Sequence, residues 1–297
     1  LGALSRRPFC TRGKSMTFLA LILALALMQA WGSGTRVQHD EWFHSLQGRV
    51  GGWGLPPGIR LAVVILLPVL LAHLLLNALA PVMFGLLWIA MATVLLLYAM
   101  GRRDFHELLE RYRGQCHRED FEGAFLTTLS ELGWAEESDD PVSAQQVHAL
   151  VQRGFLYEGF QRWFAVMFYF VLLGPAGALA YRLLHLCRHR FEADLVERCL
   201  YLADWVPVRL LAAAFSLAGD FVASRDQLLH AVIDRTLAAP QLLQSVSLAA
   251  LGGDAHAPAE GQAFGEFAAA QNKEIASLLY RSAACWVVVI ALLVLLV

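Results

Sequence analysis

The feature that most limits what this chain can fold into is the exclusion of charge from long stretches of it. No Asp, Glu, Lys or Arg occurs from Leu61 to Gly101, from Trp163 to Tyr181, or from Ser282 to Val297. About 20 consecutive apolar residues cross the hydrocarbon core of a bilayer as a helix. Lipid-exposed loops and open sheet edges do not survive there, because their backbone polar groups find no partner. Only 16% of the residues are charged and 58% are hydrophobic, against about 25% charged in soluble domains. The chain is therefore expected to be all-α and polytopic, with three to five membrane-embedded segments, amphipathic interfacial helices, and the lipid bilayer as its first partner. A net charge of −2 offers no basic field for nucleic acid. The five cysteines, Cys10, Cys116, Cys187, Cys199 and Cys285, are odd in number and irregularly spaced, which does not describe a disulfide framework.

The apolar segments are read at about 16–31, 61–79, 82–100, 163–181 and 283–297, with polar segments at 101–162 and 182–282, all within one domain spanning 16–297. Met16 opens the first apolar run, and residues 1–15 read as an upstream extension. Residues 61–100 are twice one crossing, and NALAP at 77–81 divides them, since Pro81 cannot continue a helix and pushes its predecessor towards extended backbone. His73 and Asn77 lie one turn apart on the first helix of this pair, where polar groups are expected to face protein.

The segment 101–162 holds seven Arg and twelve Asp or Glu. Glu107 and Arg111 stand at i, i+4, and Asp140 or Ser143 is placed to cap the helix that restarts after EESDDP. Gly174, Pro175 and Gly177 break the apolar run 163–181, and irregular backbone at membrane depth is tolerated only inside protein or along a cavity. Arginines flank both ends of this run, as they do the 61–100 pair, so both ends favour the cytoplasm. A re-entrant hairpin turning at Gly174–Pro175 reconciles the two. Residues 182–250 read as amphipathic helices and 252–265 as a loop.

Few motifs carry chemistry. GKS at 13–15 lacks the glycine five residues upstream that a phosphate loop needs. His185 and His189 share a helix face but Cys187 points away, so no metal site is assigned, and Asp254 and His256 have nothing to orient them. No nucleophile elbow, zinc helix or dinucleotide turn occurs, and no catalytic residue and no cofactor are assigned. Uncharged spans argue against a transporter. The remaining cluster is DWVPVRL at 204–210. Pro207 is expected to kink its helix and free carbonyls near residue 203, with Arg209 reaching either those carbonyls or Asp204 across the kink, while Trp205 suits an interface.

DWVPVRL resembles the signature of the AmpE family, inner-membrane proteins tied to β-lactamase induction. MTFLALILALAL and HDEWF resemble that family's opening, and MFYFVLLGPAGALAYRL its central span. The resemblance runs from Met16 through nearly the whole remaining chain. It implies a multi-pass protein of the bacterial inner membrane that modulates β-lactamase expression in connection with peptidoglycan recycling. Its partners would be cell-wall-recycling or signalling proteins, possessing or lacking a small-molecule ligand. That family is in turn similar to the CobD/CbiB membrane enzymes of cobalamin synthesis. There the stretch comparable to RGFLYEGFQR at 153–162 is acid-rich, whereas only Glu158 is acidic here. Regulation is accordingly favoured over a CobD/CbiB-like transferase or ligase. On either reading the ligand-binding candidates are Asp204, Arg209, Glu158, Arg162 and Trp205, and the structural breaks are Pro207, Gly174, Pro175 and Gly177.

Overall fold

A computed structural model describes residues 7–31, 39–100, 105–132, 143–188, 191, 193–252 and 261–296. Among them there are helices and no strands. Asp140, His189, Asp254 and His256 lie outside the described residues. Four helical stretches are long and apolar enough to cross a membrane: Pro57–Leu79, Val82–Ala99, Ala193–Ala218 and Gln262–Leu293, with Met16–Ala30 as a shorter apolar helix. The chain is a helical, polytopic membrane protein, and its described residues fall into two compact units.

The first unit comprises residues up to 103, then 165–203 and 287–297. It contains helices α1 (Arg7–Trp31), α2 (Glu41–Gly51), α3 (Pro57–Leu79) and α4 (Leu86–Ala99). Pro57 opens α3 at a position where its missing N–H costs nothing. The sequence divides α3 from α4 where NALAP predicts. The reversal itself uses Met83, Phe84 and Gly85, all with positive φ (49°, 58° and 89°).

The broken span is a helical hairpin. Helices α8 (Val166–Leu173) and α9 (Pro175–Leu186) meet at Gly174, whose φ of 76° and ψ of −169° belong to a region open essentially to glycine. Tyr169 stacks on Tyr181 with ring centroids 5.3 Å apart, so the two helices run antiparallel. They approach closely because Gly177 has no side chain: a Cβ there would lie 2.4 Å from Leu173 Cβ and 2.8 Å from the Tyr169 carbonyl oxygen.

Helix α9 also runs antiparallel to α3. Leu61 and Val64 cluster with Leu179, Leu183 and Cys187, while Leu66, Leu70 and His73 face Gly177 and Ala176. The same core holds Phe43 and Val50 of α2, Tyr98 of α4, and Val196 and Leu200. The hairpin therefore begins and ends at the end of the bundle where α3 starts and α4 finishes.

The second unit comprises 104–164 and 204–286. It holds α5 (Phe105–His117), α6 (Phe121–Leu132), α7 (Ala144–Gly159), α11 (Phe221–Ile233) and α12 (Ala239–Ala250). Helix α10 (Ala193–Ala218) contributes from Asp204 onward, and α13 (Gln262–Leu296) as far as Trp286. Ser143 caps α7, its hydroxyl accepting from the Gln146 N–H at 3.3 Å. Asp220 caps α11 through the N–H groups of Val222 and Ala223. Gly219 lets α12 close on this corner, since a Cβ there would stand 2.4 Å from the Ala250 carbonyl oxygen. The Glu107–Arg111 pair forms at 3.1 Å on the surface. Gln262 to Gly265, read from sequence as the end of a loop, instead open α13.

Candidate functional site

The candidates Glu158 and Arg162 come from the end of α7 and a π-helical turn, Phe160–Ala165, that follows it. Single π turns inside helices recur at functional sites, because the extra residue re-aims the side chains around it. Here Arg162 donates to Glu158 Oε1, and Gln161 donates to Glu158 Oε2. All three residues are buried.

Asp204, Trp205 and Arg209 come from α10. Asp204 is 3% exposed and accepts a 2.8 Å bond from the Tyr157 hydroxyl. That bond joins the two candidate stretches, because Tyr157 directly precedes Glu158. Arg209 is also buried. Its guanidinium donates to the Trp205 carbonyl at 3.0 Å and to the Asp234 carbonyl at 2.8 Å, and lies 4.2 Å from the centroid of the Trp205 ring. One side chain thus ties α10 to the residue after α11 while using the indole face as a second support. The exposed Asp234 carboxyl is held below the usual carboxylate range by hydrogen bonds from the Thr236 hydroxyl and N–H.

The freed carbonyl near Pro207 finds a different partner from the one expected. The helix continues through Pro207, whose missing N–H would have bonded Ala203. Tyr169 supplies that donor instead, its hydroxyl 2.8 Å from the Ala203 oxygen. Gly174, Pro175 and Gly177 shape the hairpin that carries Tyr169.

The second unit therefore buries two acids and two arginines, Glu158, Asp204, Arg162 and Arg209. Taking four charges out of water is expensive, and such pairs are poor sources of stability compared with apolar packing. Guanidinium groups held in fixed geometry suit carboxylate or phosphate recognition. No group of three or more His, Cys, Asp or Glu arranged to hold a metal occurs among the described residues.

Sequence reasoning missed two further polar centres. In the first unit, Asp40 of HDEWF accepts from the Tyr98 hydroxyl at 3.0 Å and pairs with Arg182 at 3.5 Å. In the second, His148 is buried between Tyr112, whose hydroxyl is 2.7 Å from Nδ1, and Gln271, whose Oε1 is 2.9 Å from Nε2. Burial pushes the His148 pKa down to about 4. Asp40 and Arg182 stand in motifs already recognised, HDEWF and LAYRL. His148 carries no local signal.

The described geometry can be set beside known proteins. A family described as "Regulatory signalling modulator protein AmpE" matches residues 16–296. No curated protein matches, and no solved structure does.

Proposed function

Because the chain belongs to the AmpE family of regulatory signalling modulators, we propose that it modulates β-lactamase induction from the bacterial inner membrane in connection with peptidoglycan recycling. The family match over 16–296 carries this reading. The buried Glu158–Arg162 and Asp204–Arg209 groups are its ligand-responsive site, with Trp205 supporting Arg209. What supports the assignment is the cost of burying these charges, together with the π turn beside them. An anionic ligand group would compete with Glu158 for Arg162 and so act on the π turn directly. Its partners are cell-wall-recycling or signalling proteins.

The test is β-lactamase induction in cells lacking the gene, complemented with wild type, Asp204→Ala or Arg209→Ala at matched membrane levels. Loss of normal induction on deletion, restored by wild type and not by either variant, is the expected result. Full rescue by both variants would reduce the cluster to architecture. Unchanged induction on deletion would remove the regulatory role itself.

A further inference from the structure

Helix α3 is 23 residues long, or about 34 Å, which suits a hydrocarbon core of about 30 Å. Only 22% of its span is buried. Two polar residues, His73 and Asn77, lie on its exposed surface. They bond to each other, Asn77 Nδ2 to His73 Nε2, at 3.1 Å. That single bond leaves the Asn77 oxygen and a second N–H of its amide to be met from outside the helix. Polar groups at membrane depth are costly against lipid and normally face protein.

Their surroundings have the form of a helix seat. Ile59, Leu66, Leu70, His73 and Asn77 are exposed and, with the half-buried Val63 that packs on the unit's own core, are spaced alternately four and three residues apart, the spacing of a coiled-coil seam in which a lone Asn fixes register. Beside the seam a groove of about 450 Å³ is floored by Ala176, Gly177 and Ala180 of α9. Small residues four apart let a second membrane helix approach closely.

We propose that this groove is the interface between two copies of the chain, each laying its α3 along the other's α3 and α9. Two copies inserted in the same direction are related by an axis along the membrane normal, so every residue of α3 meets its own counterpart at equal depth. A carboxamide carries both donors and acceptors, and is therefore complementary to itself. Asn77 opposite Asn77 of a second copy satisfies both, which neither an acyl chain nor an apolar helix can do.

The experiment uses the full chain in phosphatidylethanolamine–phosphatidylglycerol vesicles. Leu70→Cys, on the seam, and Leu71→Cys, about 100° round the helix, are oxidised with copper phenanthroline beside wild type, which sets the background from the native cysteines. Both positions are exposed leucines. The expected result is a covalent dimer of twice the chain mass for Leu70→Cys, with Leu71→Cys at background. Asn77→Ala should weaken dimerisation about threefold to thirtyfold, the range for interhelical hydrogen bonds in membranes. Equal cross-linking at the two positions overturns the proposal. So does a monomer carrying bound phospholipid in native mass spectrometry, which would make the groove a lipid seat. A Leu70→Cys adduct of unequal mass in native membranes would assign it to another protein, and equally overturns the proposal.

Discussion

The Tyr169 hydroxyl donates a 2.8 Å hydrogen bond to the carbonyl oxygen of Ala203, the acceptor that Pro207 leaves without its helical N–H. A proline within a helix ordinarily costs about 3 kcal/mol, partly through this lost bond. Here a side chain from the adjoining hairpin replaces it. Tyr169→Phe should destabilise the protein by about 1–2 kcal/mol, read as a lower melting temperature in detergent. In a Pro207→Ala background, where the backbone donor is restored, the same substitution should cost clearly less. Additive effects would show that the two residues act independently.

The Glu158–Arg162 pair should show the asymmetry of buried charge. Arg162→Ala leaves the buried Glu158 charge with only the Gln161 amide beside it and should cost about 3–5 kcal/mol. Glu158→Gln combined with Arg162→Met removes both charges and should recover much of that loss. Thermal melting of the single and double variants tests this, and a double variant as unstable as Arg162→Ala would contradict it.

His148 should make stability depend on pH. Its pKa of about 4 lies below the ordinary 6.5, so the folded protein binds this proton less readily than the unfolded chain. The stabilisation is present above pH 6.5 and is lost as pH falls towards 4. By pH 5 the loss is about 2 kcal/mol. His148→Gln, which cannot take up the proton, should flatten the melting temperature between pH 7 and pH 5, whatever it costs at neutral pH.

The hairpin turn should tolerate no side chain. Gly174→Ala forces φ of +76° on a residue that disfavours it and should cost about 1–3 kcal/mol. Gly177→Ala has ordinary φ but drives a Cβ into Leu173 and the Tyr169 backbone. It should therefore also weaken the Tyr169–Ala203 bond, so that Tyr169→Phe costs less in its presence. A melting series of these variants separates backbone strain from helix separation.

The helices and their breaks were legible because their signals are local. Charge-free runs, Pro81 and the Gly174–Pro175 pair each constrain the backbone within a few residues. The charged candidates were legible too, since Glu158, Arg162, Asp204 and Arg209 are conspicuous among apolar neighbours. Their partners were not. Tyr157 meets Asp204 and Arg209 meets the Asp234 carbonyl only after helices distant in sequence have packed. Arginine carries five donors, and nothing near residue 209 selects the carbonyl 25 residues later. The π turn was equally hidden, because its distinguishing feature is a shift in backbone pairing and not a residue type. His148 looked like any polar residue on an amphipathic helix until Tyr112 and Gln271 closed over it.

The core that gathers Phe43, Leu61, Tyr98, Cys187 and Leu200 joins the start of α3, the finish of α4 and the return of α9 at one end of the bundle. Leu183 of α9 and Cys187 just after it sit in this core beside residues of α2, α3, α4 and α10, so it couples segments that lie far apart in the chain. Truncating one of these side chains leaves a void that every helix around it feels, and this end of the unit is expected to loosen as one block, not helix by helix.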